Sequence, residues 1–125
     1  MAKVIGIGGV FFKANDSQAL NDWYRKVLGI NIGEYGATFK PEAIPSNGYT
    51  AFCIFNQDSN YFDVPEKTPQ QPYLINFLVD DLFAILIKVE KSGGRLIGKP
   101  EEYEYGKFGW FADPEGNKIE LWQPL

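Results

Sequence analysis

Apolar positions in the first part of the chain follow the period of a strand and then the period of a helix. Residues 4–14 are apolar, β-branched and aromatic, which predicts a strand. The apolar positions after them lie one helical turn apart and share one face: Leu20, Trp23, Tyr24, Val27 and Leu28. Asp16 or Ser17 can cap this helix, and Gly29 can end it.

Further strands complete the first half of the pattern. Residues 30–35 predict one short strand. Residues 48–64 predict two strands joined by a turn near residues 57–60. The segment between them, residues 36–47, carries Pro and Gly and is predicted to be a loop.

The second half repeats this order of elements. Residues 73–79 predict a strand, and residues 95–100 are a shorter strand candidate. Asp81 can cap the helix between them, whose apolar face consists of Leu82, Ile85, Leu86 and Val89. Residues 107–112 and 118–122 predict a hairpin that closes the chain.

Equal spacings in the two halves indicate an internal duplication. The two capping residues, Asp16 and Asp81, each stand 13 positions before a glycine, so an offset of 65 superposes the two strand–helix units. A second offset, 57, aligns the final hairpins of the halves and places Asp63 opposite Glu120. We therefore predict an α+β fold built from two βαβββ modules.

Length and composition predict one globular domain, residues 1–125, with internal halves at about residues 3–64 and 72–124. Hydrophobic residues make up 45% of the chain, which favours a packed core. The net charge of −4 and the scattered Lys and Arg residues argue against a nucleic-acid partner. No apolar run reaches membrane-spanning length, so we expect no membrane contact. The single cysteine, Cys53, is predicted to be an inert core thiol of a cytoplasmic protein.

The chain contains no histidine. It therefore lacks the commonest general base near neutral pH and the commonest zinc ligand. It also cannot form a Ser-His or Cys-His nucleophile. Any chemistry would rest on carboxylates, Lys, Tyr, Cys53 or a bound cofactor.

One acidic residue stands inside the last apolar strand. Residues 113–117, DPEGN, predict a tight turn before it. After this turn Lys118, Glu120 and Trp122 alternate with two apolar residues and share one face of the predicted strand. Strand interiors disfavour Glu, so Glu120 either faces water, pairs with a base such as Lys118, or serves a site.

Three segments resemble the vicinal oxygen chelate superfamily, which includes glyoxalase I, bleomycin-resistance proteins and extradiol dioxygenases. They are WYRKVLG at residues 23–29, NFLVDDL at residues 76–82 and YGKFGWFADPEGNKIELWQP at residues 105–124. The resemblance implies a curled mixed sheet that forms a half-barrel around a central cavity, with the helices outside. It also implies a homodimer, for which Phe83 and Ile87 supply an apolar stripe beside the core face of the second helix.

The resemblance also implies where a metal would bind. In metal-using members the ligands lie on the first and last strands of each half, and these positions correspond to Gly9, Asp63, Leu74 and Glu120. Glycine and leucine have no ligating side-chain atom, so the sequence departs from the pattern on both first strands. We therefore predict no bound metal and no cofactor.

Strand parity extends the predicted pocket around these positions. We expect the ligand-binding residues to be Phe11, Asp63, Leu74, Asn76, Leu78, Glu120 and Trp122. Mostly apolar walls with a few polar groups suit a small organic molecule. Three of these residues could have structural roles instead of binding a ligand. Asn76 can satisfy a buried backbone group, Asp63 can be solvated and Trp122 can belong to the core.

Three functions compete for this sequence. We expect a metal-independent protein that binds a small, flat or aromatic organic molecule, as the drug-sequestering members of the superfamily do. The alternative is a lyase, isomerase or dioxygenase of glyoxalase type. Glu120 would be its best catalytic candidate, with or without a weakly bound divalent metal. A structural or regulatory protein that uses the Phe83 and Ile87 surface is a third possibility, for which the sequence carries no motif.

Overall fold

The computed structural model describes all 125 residues and shows an α+β protein. Its two helices are α1 (Ser17–Val27) and α2 (Leu82–Lys91). Its five strands are β1 (Ile75–Leu78), β2 (Arg95–Leu96), β3 (Glu101–Tyr103), β4 (Gly106–Ala112) and β5 (Lys118–Pro124). A short 3-10 helix covers Pro41–Ala43. No helix has the length and apolar character needed to cross a membrane.

Both helices begin where the sequence predicts. The Asp16 carboxylate accepts a hydrogen bond of 3.0 Å from the Ala19 N–H, and the Asp81 carboxylate accepts one of 3.1 Å from the Ala84 N–H. These bonds satisfy backbone donors that have no partner within a helix. The two caps lie 65 positions apart in the chain.

The strands form one mixed, unclosed and curled sheet in the order β1-β5-β4-β2, with β3 also paired to β4. β1 runs parallel to β5, whereas the other pairs are antiparallel. The hairpin expected at the end of the chain is present as β4 and β5, from the pair Ala112 and Lys118 to the pair Gly106 and Pro124.

The core lies between the helices and one face of this sheet. Its buried members are Val27, Leu82, Leu86, Val89, Phe111, Ile119 and Leu121. A Cβ atom added to Gly109 of β4 would lie 2.9 Å from Leu86 Cδ1, so the glycine allows α2 to approach the sheet closely. The opposite face of the sheet, which carries the alternate residues of β4 and β5, is called the helix-free face below.

The strands predicted in the first half are absent from the structure. Residues 4–14 and 48–64 contain neither helix nor strand, and residues 30–35 contribute only to an isolated bridge between Gly33 and Gly36. A strand requires a partner for its N–H and C=O groups, and a period-two sequence cannot provide that partner by itself. Cys53 is accordingly exposed, and the prediction of a core thiol was wrong because no neighbouring strand covers it.

Candidate functional site

The helix-free face brings together side chains from three adjacent strands. The register sets two rows across β1, β5 and β4, namely Asn76–Glu120–Trp110 and Leu78–Trp122–Phe108. Side chains of one row point to the same side of a pleated sheet. Because Ile119 and Leu121 fill the core on the other side, alternation directs Glu120 to this face.

The Glu120 carboxylate is buried, with 9% of the residue exposed, and accepts three hydrogen bonds. Oε1 accepts from the Asn76 side-chain amide at 2.7 Å. Oε2 accepts from the Trp110 indole N–H at 2.8 Å and from the Tyr61 hydroxyl. Burying a carboxylate without partners is costly, and these donors offset that cost.

Tyr61 reaches Glu120 from residues 55–64, a segment without helix or strand that we call the cover segment. Its ring stacks on Phe55 with a centroid distance of 5.7 Å and meets Trp110 edge-on at 6.4 Å. Burial and the nearby Glu120 carboxylate both raise the pKa of the Tyr61 phenol. The hydroxyl therefore remains a proton donor at neutral pH.

Lys118 supplies a positive charge beside this cluster. Its Nζ donates to the Tyr61 carbonyl oxygen at 2.7 Å and lies 5.4 Å from the centroid of the Tyr61 ring. Burial lowers the pKa of the Lys118 ammonium, while the charges of Glu120 and Asp63 act in the opposite direction. Lys118 thus holds the cover segment in place through both a hydrogen bond and a cation–π contact.

Trp122 forms a second aromatic group next to Glu120 on β5. Its ring stacks on Phe108 with an interplanar angle of 7°, and Tyr49 meets it edge-on at 4.8 Å. Its indole N–H donates to the Tyr105 carbonyl oxygen at 3.3 Å. A row of aromatic rings therefore lies beside the Glu120 row, and Trp122 within it is only 6% exposed.

The residues predicted from sequence fall into three groups. Asn76, Leu78, Glu120 and Trp122 lie together in the two rows. Leu74, directly before β1, and Asp63, on the cover segment, are half-buried. Phe11 is 94% exposed, and the structure does not bring it to the cluster.

Sequence reasoning missed Tyr61 and Trp110 as partners of Glu120. Tyr61 lies 59 positions from Glu120 and occupies no regular element, so no periodicity points to it. The contact with Trp110 could have been predicted, because Trp110 stands directly opposite Glu120 in the β4–β5 hairpin.

The residues present do not fit the metal site that the resemblance implies. Three hydrogen-bond donors already point at the two oxygens of Glu120, where a cation would need free lone pairs. Gly9 and Leu74 offer no ligating side-chain atom at the other positions. No group of three or more His, Cys, Asp or Glu side chains converges in a way that could hold a metal ion.

A separate apolar groove of about 200 Å³ lies on the outer side of α2. It is lined by Phe83, Leu86, Ile87, Glu90, Leu96 and Pro100. Phe83 and Ile87 are 43% and 53% exposed, so both residues of the predicted apolar stripe are accessible.

Comparison with known protein families identifies the family to which the sequence is similar. A family model described as a glyoxalase-like domain matches residues 9–122, which span both halves of the chain. No curated protein sequence gives a significant match.

Solved structures agree in fold at low sequence identity. TnmS3, an antibiotic binding protein from Streptomyces sp. CB03234, is 22% identical, with a TM-score of 0.55 over 98% of this chain and 100% of that chain. A member of the glyoxalase/bleomycin resistance protein/dioxygenase superfamily from Sphaerobacter thermophilus DSM 20745 is 16% identical, with a TM-score of 0.53 over 96% and 98% of the two chains.

Other structures match over only part of their length. A glyoxalase/bleomycin resistance protein/dioxygenase family enzyme from Burkholderia phytofirmans PsJN is 28% identical, with a TM-score of 0.41 over 48% of this chain and 50% of that chain. This chain spans only 42–50% of the length of that structure and of three further ones.

Proposed function

Because the chain belongs to the glyoxalase-like domain family, within the vicinal oxygen chelate superfamily, we propose that it is a metal-independent protein that binds a small, flat organic molecule. The binding site is the helix-free face of the sheet. The observation that carries the proposal is the buried Glu120 carboxylate, which is hydrogen-bonded to the Trp110 indole and has Trp122 two positions along the same strand. Aromatic surfaces around a single placed charge bind and orient small molecules in this way.

Several findings support binding over catalysis. Three hydrogen bonds from Asn76, Trp110 and Tyr61 hold the Glu120 carboxylate in a polar network, a role that needs no proton transfer. The residues at the superfamily's metal positions do not fit a metal, which removes the usual route to glyoxalase or dioxygenase chemistry. One structure of the same fold is an antibiotic binding protein, which is consistent with small-molecule binding here.

The site proposed from sequence remains part of this function. Asn76 and Glu120 fix the polar end of the ligand, while Leu78 and Trp122 contact its flat surface. We place Asp63, Leu74 and Phe11 at the margin of the site. Phe11 reaches the margin only if residues 4–14 pair with the sheet, which is the arrangement inferred next.

We also infer that residues 3–64 form a second βαβββ module and that the protein is a homodimer. The matching aspartate caps of α1 and α2 support the module. β1 pairs with a strand on one side only, so its other edge is open to residues 4–14. The exposed Phe83 and Ile87 support the dimer, because a two-fold interface uses one patch twice.

Native mass spectrometry of the protein purified from its own cells tests the function. We expect a bound organic molecule of low mass, and no stoichiometric zinc, iron, nickel or manganese. For the molecule found, Glu120→Gln should weaken binding by about 1–3 kcal/mol, since one charged acceptor becomes neutral. Glu42→Gln, on the exposed 3-10 helix, is the matched control and should bind as the wild type does.

Two results would contradict the proposal. A tightly held transition metal at about one per chain would reject metal independence. Equal affinity of the wild type and Glu120→Gln for the bound molecule would remove Glu120 from the site and leave it as a structural residue only.

A further inference from the structure

The three donors to Glu120 differ in how firmly the fold holds them. Asn76 and Trp110 lie on strands that pair directly with β5, so the sheet fixes both side chains. Tyr61 comes from the cover segment, and 39% of its surface is exposed. The carboxylate that it contacts is only 9% exposed. The Tyr61 hydroxyl thus reaches the buried acceptor from a segment outside the sheet.

Side-chain contacts, and not strand pairing, hold Tyr61 over the carboxylate. Its ring packs on Phe55, which is itself 46% exposed, and its carbonyl oxygen accepts a hydrogen bond from Lys118 Nζ. Its backbone N–H donates to the Ser59 hydroxyl oxygen at 3.2 Å, and no strand pairs with it. Segments with exposed backbone and few buried contacts open at low free-energy cost.

The contacts of the Tyr61 side chain indicate which kind of ligand the site would bind. A flat ring lies edge-on to the Trp110 indole and under the Lys118 ammonium, while its hydroxyl donates to Glu120 Oε2. The protein thus places a phenol of its own at the place where a ligand would reach the carboxylate. We propose that the Glu120 site takes a flat aromatic ring bearing an O–H or N–H donor, and that Tyr61 is the internal competitor that this ligand displaces.

This inference rests on the proposed function. It adds the chemical class of the ligand and the residue that competes with the ligand for Glu120. When Tyr61 covers Glu120, only the open fraction of molecules binds ligand, and the apparent affinity falls by that fraction. Removing the Tyr61 hydroxyl weakens the covered state and leaves Asn76 and Trp110 in place. Any ring that binds only the open state should then bind more tightly by the same factor, while a ring with a donor should remain the tighter ligand in both proteins.

Titration of the 15N-labelled protein with 4-methylphenol and with toluene tests the inference. The three tryptophans give three indole N–H signals, and Trp110→Phe identifies the signal of Trp110. We expect 4-methylphenol to shift the Trp110 signal in the wild type. Tyr61→Phe should bind it about 10-fold more tightly, the factor that corresponds to one hydrogen bond of about 1.4 kcal/mol. Toluene should bind both proteins more weakly than 4-methylphenol does, and Tyr61→Phe should strengthen its binding by a similar factor.

Two further variants separate competition from a general change in the protein. Phe55→Leu loosens the packing under Tyr61 without touching Glu120, and it should also tighten 4-methylphenol binding. Tyr35→Phe changes a tyrosine that is 96% exposed, and it should leave the affinity unchanged. Circular dichroism and thermal melts establish that each variant is folded.

Each outcome decides a separate point. Equal 4-methylphenol affinity for the wild type, Tyr61→Phe and Phe55→Leu would overturn the competition and leave the proposed function intact. Toluene binding as tight as that of 4-methylphenol would overturn the donor requirement. No shift by either probe in any variant would overturn the ligand class, whereas the proposed function is tested separately by mass spectrometry of the protein from its own cells and by Glu120→Gln.

Discussion

Gln71 extends the sheet with its side chain, one short segment before β1 begins. Its Oε1 accepts a hydrogen bond of 2.8 Å from the Lys118 N–H, and its Nε2 donates to the Lys118 carbonyl oxygen at 3.1 Å. The same Nε2 donates to the Tyr73 carbonyl oxygen at 2.6 Å. The buried amide thus acts as a strand residue would, and it satisfies the first backbone groups of β5.

We expect Gln71→Ala to lower the free energy of unfolding by about 2–3 kcal/mol, because both backbone groups of buried Lys118 lose their partners. Urea unfolding followed by tryptophan fluorescence measures this change. Gln18→Ala, at an exposed position of α1, is the control and should alter the free energy of unfolding by less than about 0.5 kcal/mol. A similar small effect at Gln71 would show that water replaces the side chain at this position.

At the scale of elements, the turn between β4 and β5 holds the start of α1. The Glu115 carboxylate accepts from the backbone N–H groups of Asn15 at 2.7 Å and Asp16 at 2.9 Å. The buried Asp113 carboxylate accepts from the Tyr24 hydroxyl at 2.7 Å. A helix of the first half is therefore joined to the closing hairpin by three hydrogen bonds to two carboxylates.

The contact between Tyr24 and Asp113 makes the free energy of unfolding decrease at alkaline pH. Burial, followed by the charge of Asp113, raises the pKa of the Tyr24 phenol well above its usual value. In the unfolded chain this phenol loses its proton near pH 10, whereas in the folded protein it keeps the proton. The contribution of Tyr24 is therefore fully present below about pH 10 and is lost progressively above it.

We expect Tyr24→Phe to reduce the free energy of unfolding at pH 7 by about 1–3 kcal/mol, since a hydrogen bond to a buried carboxylate is lost. The variant should also lose part of the decline in stability above about pH 9. The rest of the decline should remain, because burial also raises the pKa values of Tyr61 and Tyr73. Urea unfolding at a series of pH values measures both effects, and an identical decline in the two proteins would exclude Tyr24 as its source.

At the scale of the whole molecule, the outer side of α2 is the proposed contact between two copies. Multi-angle light scattering at micromolar concentration should give twice the chain mass of 14.1 kDa. Phe83→Asp with Ile87→Asp should give the monomer mass, because it places charges in an apolar interface. Lys88→Asp, exposed on the same helix, is the control. A dimer that persists in the double variant would place the interface elsewhere, and a monomeric wild type would reject it.

The first module is tested by hydrogen exchange of residues 4–11. If these residues pair with the open edge of β1, we expect their alternate amides to exchange at least about 100-fold more slowly than in an unfolded chain. The paired amides of β5 provide the reference for protected backbone, and the exposed residues 36–40 provide the reference for free backbone. Exchange of all amides in residues 4–11 at the free rate would rule out this pairing.

The features that local sequence determines were predicted correctly. Both helices, their aspartate caps and the closing hairpin follow from residues that are near one another in the chain. A cap requires one side chain three positions from its donor, and a hairpin requires a turn between two alternating runs. The same alternation was enough to separate Glu120 from the core residues Ile119 and Leu121.

Only the tertiary structure decided how the polar groups are paired. Tyr61 and Glu120 are 59 positions apart, and Tyr24 and Asp113 are 89 positions apart. No period links such residues, because their distance depends on how the elements pack. The strands predicted in residues 4–14 and 48–64 are not paired in this structure for a related reason, since sequence sets the tendency to extend, but a strand exists only where another backbone pairs with it.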